Sequence, residues 1–515
     1  MSLRFTALIY VLLIATPVFL YLKPIVLRFT SEADYLRRRN VWFVLTATGF
    51  LSPSFWLFAL VAAPLLFWGG RKDSNPVAFY LMLMQVIPDT PVQIPTVGIN
   101  ELFALNLYRL LSFFVLIPAA VRLRRATEHP AVREFTTTDW LVLGFGALQL
   151  FLYVPPDLPN HQILHNSATN IIRQALLFYV DVYVLYYVVS RYCSTRQAVV
   201  DAMASFFVAC AVLAPLAVFE SVRHWLLYLN ISVAWDVPVW GSNYLLRAHA
   251  LRAQVTAGHS IALGYLLAVA LGFWLHLSAR VPRRVPRIAI TTLLVSGLVV
   301  TYARGPWLAA VVIYVLFTAL RPHAFTKAFQ ATIGALLVGW GISFTAVGER
   351  IFNSLPFIGA AAESESAVYR QRLAARAWQL FQEHPLFGDQ LAVQKMEDLR
   401  QGEGIIDLVN TYAQVALFYG IVGLALFITP VLVVFFGAVR QAKRLQSQDP
   451  DFSSLGNTLA ACEFGTLVFI ATASLNAANT NLFYILLGLT VAFVRMARAI
   501  PTTVRAAEEQ MLQQS

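Results

Sequence analysis

Charge is scarce in this chain, and cysteine scarcer still. Asp, Glu, Lys and Arg make up 13% of the 515 residues, about half the share that soluble domains carry. That excludes an ordinary water-soluble globular protein of this length. Cys193, Cys210 and Cys462 are isolated from one another, which excludes a disulfide framework and zinc-type spacing. A Gly-rich stretch such as Gly144-Phe145-Gly146 lacks both a following Lys-Ser/Thr and a strand context, so nucleotide binding is unsupported. Acid is rarer than base, giving a net charge of +11. The excess nevertheless sits in short clusters between apolar runs, which is positive-inside bias and not a nucleic-acid footprint. Apolar residues fill the rest, at 58% of the chain. The 13% aromatic share, with 11 Trp and 20 Tyr, suits interfacial belts and sugar-stacking surfaces alike. The class is an all-α polytopic membrane protein.

Hydropathy gives about 12–14 spans. The clearest are Leu105–Val121, Trp140–Pro155, Ile171–Val189, Val199–Phe219, Gly258–Leu277, Phe329–Val347, Thr411–Val439, Leu459–Leu475 and Leu482–Val494, with a further run from Ile288 to Leu320. Basic clusters at Arg122–Arg125, Arg191–Arg196, Arg280–Arg287, Arg321–Lys327, Arg440–Arg444 and Arg495–Arg498 fall on alternate loops and place the C-terminus in the cytoplasm. The first hundred residues are less regular. Phe5–Leu22 reads as a retained anchor, since no small-residue cleavage site follows it. Val41–Trp68 is long for one span, and Pro76–Pro88 is short enough to be re-entrant or a tilted partial span.

The run Ile288–Leu320 would be roughly 50 Å long as one helix, against a bilayer core of about 30 Å. Basic residues flank it on both sides, so both ends face the cytoplasm and the run folds as a helical hairpin. The expected turn is Gly305-Pro306, which delivers Arg304 to the outer face. Such an arginine can snorkel to lipid phosphates or form part of a functional site.

Two long segments then lie outside, Arg223 to Gln254 and Gly348 to Leu408. Within the second, Ser364–Glu383 reads as a membrane-parallel amphipathic helix: Tyr369, Leu373 and Leu380 share a face, and Arg372 and Arg376 are four apart. The outer face thus collects Arg247, Arg252, Arg304, Arg370, Arg372 and Arg376. Guanidinium forks suit bidentate binding of phosphate oxygens, so a shared anionic ligand competes with headgroup anchoring and with a solvated charged face. Acidic candidates on that side are Glu220, Asp236, Glu403 and Asp407. Asp407 precedes a span and is either a catalytic base or a helix N-terminal acid favoured by the macrodipole; Glu220 reads as structural. His161 and His165 have metal-ligand spacing but no third ligand nearby, so no metal site is assigned. His259 reads as a hydrogen-bonded packing residue.

Four segments resemble motifs of the bacterial O-antigen ligase/polymerase superfamily. Thr301-Tyr302-Ala303-Arg304-Gly305-Pro306-Trp307-Leu308 is similar to its "SRG-x-WL" signature, and His384-Pro385-Leu386-Phe387-Gly388 to its "HPLFG". Asn410-Thr411-Tyr412 with Tyr419-Gly420-Ile421-Val422-Gly423-Leu424 looks like "HN-x-YL … EYG-x-x-GL". Arg252 with Gly258-His259-Ser260 is similar to the arginine and "G-x-x-x-HP" segment. Together they run from about Arg247 to Phe427, in the family's order and spacing.

The resemblance implies a glycosyltransferase of the bacterial inner (cytoplasmic) membrane whose site faces the periplasm. Its substrates would be polyprenyl-diphosphate-linked oligosaccharide donor and acceptor, with no cofactor, metal or nucleotide sugar and no nucleic-acid partner. Chain-length regulator or export proteins are further expected partners. Arg252 and Arg304 would grip the donor diphosphate, with Arg247, Arg370, Arg372, Asn410 and Tyr412 lining the substrate site and Asp407 as the base. Val409 stands where ligases carry the histidine of "HN", and Asp407-x-x-Asn410-x-Tyr412 looks more like exopolysaccharide polymerases. Polymerisation of repeat units is therefore the preferred expectation, ligase-type transfer to a lipid or protein acceptor the first alternative, and a lipid-linked oligosaccharide flippase the second. The expected organisation is an N-terminal membrane region (1–244), a ligase/polymerase core (245–430) containing the periplasmic loop (348–408), and C-terminal helices with a cytoplasmic tail (431–515).

Overall fold

The computed structural model describes residues 3–94, 103–125, 135–153, 168–237, 246–247, 250–321, 365–400, 406, 408–475 and 477–500. It is all-α, apart from two two-stranded ladders among the described residues. Six described helices are long and apolar enough to cross a membrane, and two shorter apolar ones accompany them. The chain is a multi-pass membrane protein. The expected span Phe329–Val347 and the pair His161 and His165 lie outside the described residues.

Helices α1 (Leu3–Val26), α2 (Glu32–Leu51) and α3 (Phe55–Lys72) open the bundle. The long run Val41–Trp68 divides at Ser52-Pro53-Ser54, where Ser54 caps α3 by accepting from the Leu57 amide. Helix α4 (Pro76–Leu83) is only eight residues long and wholly buried. Irregular chain continues it through buried Gln85, Val86 and Ile87 to the ladder of β1 (Val92–Gln93) and β2 (Ala104–Leu105). The short run Pro76–Pro88 is thus a buried eight-residue helix followed by unwound chain that other protein segments surround.

Helix α5 (Leu107–Leu111) passes through a π-helical turn (Ser112–Leu116) into α6 (Ile117–Arg125). After α7 (Thr137–Tyr153), α8 (Ala168–Phe178) likewise runs through a π turn (Tyr179–Tyr183) into α9 (Val184–Tyr192). Then come α10 (Arg196–Arg223), the short α11 (Leu229–Ala234), the ladder of β3 (Leu246–Arg247) with β4 (Ala250–Leu251), and α12 (Ser260–Leu277). Helices α13 (Arg284–Val299) and α14 (Arg304–Ala319) form the hairpin, and α15 (Glu365–Glu383) lies in the long loop. Three helices close the fold: α16 (Thr411–Leu445), α17 (Pro450–Ile470) and α18 (Ala477–Ala499). One continuous apolar core joins helices from α1 to α18, and a smaller core sits under α15.

The basic clusters gather at one end of the bundle. There Arg28 donates to the Arg280 carbonyl at 3.0 Å, Arg196 pairs with Asp449 at 3.0 Å, Arg280 with Asp451 at 2.6 Å, and Arg321 donates to Ser454 at 3.1 Å. At the opposite end Arg4 and Trp235 both donate to the Ser52 carbonyl, each at 3.1 Å, and Thr411 donates to the Ala473 carbonyl at 2.8 Å. The free cysteines Cys193, Cys210 and Cys462 are all buried.

The hairpin turns slightly earlier than expected, at Val300–Ala303. Tyr302 there has a left-handed φ of 48°, and the Thr301 hydroxyl and Trp307 indole both donate to the Leu298 carbonyl, at 2.7 and 2.9 Å. Gly305 and Pro306 instead begin α14. Proline costs nothing in a first helical turn, where its missing N–H would have had no partner. Gly305 is needed for close approach, since a Cβ there would come within 2.1 Å of the Thr472 hydroxyl after α17.

Candidate active site

Arg304 is the first residue of α14, at the end of the bundle opposite the basic clusters. Ala303 provides no side-chain cap, so the first amides of α14 point outward without a side-chain acceptor. A cation at this position opposes the helix dipole, and an anion there would be favoured by both. Arg304 is half-buried, and its Nε is shielded from solvent with no hydrogen-bond partner among the described residues. Its electrostatic neighbour is another cation, Arg370 on α15, close enough to repel it. Among the described residues, no carboxylate pairs with either arginine.

Arg252 approaches the same turn from the segment before α12. Its Nε donates to the Thr301 carbonyl at 3.2 Å, and the next amide, Ala253, donates to the Val300 carbonyl at 3.2 Å. Glu220 holds this segment in place. Fully buried at the end of α10, its carboxylate accepts from the amides of Leu227 at 2.9 Å, Gln254 at 3.1 Å and Val255 at 2.9 Å. The structural role expected for Glu220 is what the contacts give. His259 caps α12, its Nδ1 accepting from the Ile261 amide at 3.2 Å, again the expected packing role. Of the five described non-glycine residues with left-handed backbone, Val255 (φ 46°), Tyr302 (φ 48°) and Val409 (φ 45°) lie within three positions of Arg252, Arg304 and Asn410, while His224 and Asp236 lie elsewhere. Strain of this kind, most costly for β-branched valine, collects at functional sites.

The expected amphipathic helix is α15, within one residue of its expected start. Leu373, Ala377 and Leu380 bury their side chains against Met396, Leu399, Leu408 and Leu417. Arg370 and Arg372 are exposed on α15. Arg376 is engaged inside the loop, donating to Gln379 at 2.8 Å and to the Lys395 carbonyl at 3.1 Å. Of the loop arginines, Arg370 is the one brought to Arg304; no contact ties Arg372 to that turn. Arg247 lies in β3 opposite Ala250. Asp407 and Glu403 fall outside the described residues, and Asp236 sits exposed in a turn after α11 with φ 55°.

Asn410 and Tyr412, expected to line the substrate site, have structural contacts. Asn410 caps α16 by accepting from the Ala413 amide at 3.1 Å, and the Tyr412 hydroxyl donates to the Leu467 carbonyl at 2.8 Å. Among the described residues no three His, Cys, Asp or Glu side chains gather in a group that could hold a metal.

Sequence reasoning did not anticipate how the His384–Gly388 loop is held. Helix α16 breaks at Gly420, whose φ is 63° and ψ −164°. The released backbone pairs with the loop: Ile421 N–H donates to the Pro385 carbonyl at 2.8 Å, Val422 N–H to Leu386 at 3.3 Å, and Asp389 N–H to the Leu417 carbonyl at 2.7 Å. A Cβ at Gly420 would lie 2.2 Å from the Leu386 carbonyl, and one at Gly388 (φ 71°) 2.5 Å from the Leu417 oxygen. The two glycine motifs therefore form one joint, which docks the C-terminal end of α15 onto α16.

Residues 289–428 match the family model described as O-antigen ligase. This match supports the O-antigen ligase/polymerase superfamily. The ligase segment spans just over a quarter of the chain. It takes in Arg304, α15 and the Gly388–Gly420 joint, and leaves Arg252 and Glu220 to the preceding segment. Glycan transfer of the O-antigen ligase/polymerase type, acting on lipid-linked glycans in a membrane, follows from that match. The comparison with curated proteins gave no match.

Proposed function

We propose that the protein polymerises polyprenyl-diphosphate-linked oligosaccharide repeat units on the outer face of a bacterial inner membrane. The observation that carries this reading is the pair Arg304 and Arg370 at the uncapped start of α14, which no carboxylate neutralises among the described residues. Two guanidinium groups and the first amides of a helix match the charge and the oxygen geometry of a diphosphate. The 16-residue arms of the hairpin are each about 24 Å long, shorter than a bilayer core of about 30 Å. Arg304 is thus recessed, where its field is less screened by water.

In the reaction the acceptor hydroxyl attacks the anomeric carbon of the donor sugar, and the bond from that carbon to the diphosphate oxygen breaks. Negative charge gathers on the departing diphosphate, where fixed guanidinium groups stabilise it without reorganisation. Arg252, tied to the Thr301 carbonyl, is the third candidate cation for the diphosphate, with Arg247 and Arg372 as secondary contacts. The acceptor proton needs a base, for which Asp407 is the proposed residue, because Val409 occupies the position of the ligase histidine. Cofactor and metal have no step in this scheme.

Transfer of finished glycan to a lipid or protein acceptor is the second reading, favoured by the description of the matching family; it uses the same arginines. Removing the protein from its host separates the two. Polymerase loss leaves single repeats on the carrier or acceptor, whereas ligase loss leaves long polymer on the polyprenyl carrier. Normal polysaccharide in cells carrying Arg304→Ala would sink both.

A further inference from the structure

A polar cavity of about 360 Å³, sharing no lining residue with the arginine turn, lies among α5, α7, the π turn after α8, α16 and the start of α18. Its walls include Arg109, Asp181, Gln149, Asn481, Phe178 and Tyr419. Arg109 and Asp181 form a bidentate pair, with Nη2 at 2.8 Å and Nε at 3.1 Å from the carboxylate. The pair cancels its own charge, and the further charged group beside it is the Asp89 carboxylate held by Asn106, so the cavity carries no excess positive charge, unlike the surroundings of Arg304. A cavity so balanced has no reason to select an anion, and its polarity makes it a poor place for a lipid tail.

Asn481 is only 4% exposed, and neither its amide nor that of Gln149 has a hydrogen-bond partner among the described residues. Both amides face the cavity and are free to hydrogen-bond a ligand or ordered water there. The backbone around them departs from regular helix in both neighbouring elements. Asp181 sits in one π turn, and the other, Ser112–Leu116, packs against it; such turns recur at functional sites. Asn106 caps α5 and also donates to Asp89, at 2.7 Å, on the unwound part of the partial span.

We propose that this cavity is a binding site for a neutral saccharide, in which the Gln149 and Asn481 amides and the Arg109–Asp181 pair hydrogen-bond ring hydroxyls while Tyr419 and Phe178 face the ring's C–H surface. Paired hydroxyls need donors and acceptors side by side, which two amides and a guanidinium–carboxylate pair supply together, and sugar faces pack on aromatic rings. Tyr419 immediately precedes Gly420, so the cavity adjoins the joint between the His384–Gly388 loop and α16. The assignment to glycan rests on the proposed function; the neutrality of the ligand rests on the ion pair alone.

The test uses the full chain in phosphatidylcholine nanodiscs and saturation-transfer NMR. The probes are free neutral tri- and tetrasaccharides of glucose, galactose, mannose and N-acetylglucosamine, with inorganic pyrophosphate as the anionic control. At least one saccharide should bind, and Asn481→Leu and Gln149→Met should each weaken it about tenfold. Binding should persist in Arg304→Ala and in the presence of pyrophosphate. Gln149 is only half-buried, so its variant tests the site even if the Asn481 variant fails to fold. Failure of every saccharide to bind the native chain overturns the proposal, as does binding that survives both amide substitutions or is lost only with Arg304→Ala. Pyrophosphate binding that ignores Arg304→Ala would instead remove the diphosphate reading and leave the cavity result standing.

Discussion

Arg38 and Arg304 are both arginines within a membrane bundle, and their surroundings are opposite. Arg38 is 1% exposed, and Asp73 and Asp201 each take two of its donors, at 2.7 to 3.0 Å, while Ser205 takes another at 2.8 Å. Arg191 is likewise paired with a carboxylate, both Nη atoms lying 2.6 Å from Asp139. Arg304 has no carboxylate partner among the described residues and a second cation as its neighbour. An arginine whose donors are all taken by the protein serves packing. One with no acid beside it among the described residues suits the proposed role of holding charge that a ligand brings.

The sharpest way to break this comparison is to remove one arginine of each kind. Arg38→Met leaves Asp73 and Asp201 buried without their cation and should cost about 3–5 kcal/mol of stability, read as a large fall in melting temperature in detergent. A melting temperature close to that of the native chain would show that the network does not hold the fold.

Arg304→Ala should do the reverse. Melting should barely move, while polymer formation falls by roughly a hundredfold or more, the scale for losing a donor to developing negative charge. Arg304→Lys keeps the charge but not the fork, and should rescue only part of the activity. Full activity in the lysine variant would reduce the site to a simple positive charge.

A smaller effect is expected at the joint. Gly420→Ala forces a Cβ against the Leu386 carbonyl in a left-handed conformation, a strain of about 1–3 kcal/mol. Hydrogen exchange at Ile421 and Asp389 should quicken, and activity should fall because the C-terminal end of α15 loses its dock on α16. Unchanged exchange would mean that the loop is held elsewhere.

The smallest effect concerns Asp389, beside the same loop. Burial pushes its carboxyl up, but the Lys395 ammonium at 2.7 Å and the Leu391 amide more than offset this and leave it below the usual carboxylate range. A lowered folded-state pKa contributes stability above the unfolded value, and that contribution disappears as pH falls through the folded value. Asp389→Asn should therefore cost about 0.5 kcal/mol at neutral pH, since the pair is half-exposed. The difference from the native chain should close below about pH 4. A gap that widens on acidification would show that the pair is not its source.

Much of the site was legible along the chain. Arg304 between two apolar arms, the buried face of α15 and the packing role of His259 all follow from local spacing. The displaced hairpin turn was missed because Gly305 serves a contact with Thr472, a partner far away in sequence. The partnerless amides were missed for a similar reason, although Arg109 and Asp181 inside expected spans were a readable sign of an interior polar site.

Hydropathy, basic clusters and helical periodicity are properties of neighbouring residues, so the sequence by itself determined a polytopic all-α protein, the end of the bundle that carries its basic clusters, and the arginines worth watching. Which arginines are neutralised depends on which helices meet. Arg38 finds Asp201 across 163 positions, and Arg304 finds Arg370 from a different element altogether. The Gly388–Gly420 joint likewise exists only where backbone released by one helix pairs with a loop from another. Charge pairing and backbone satisfaction act through space, and only the tertiary structure decided them.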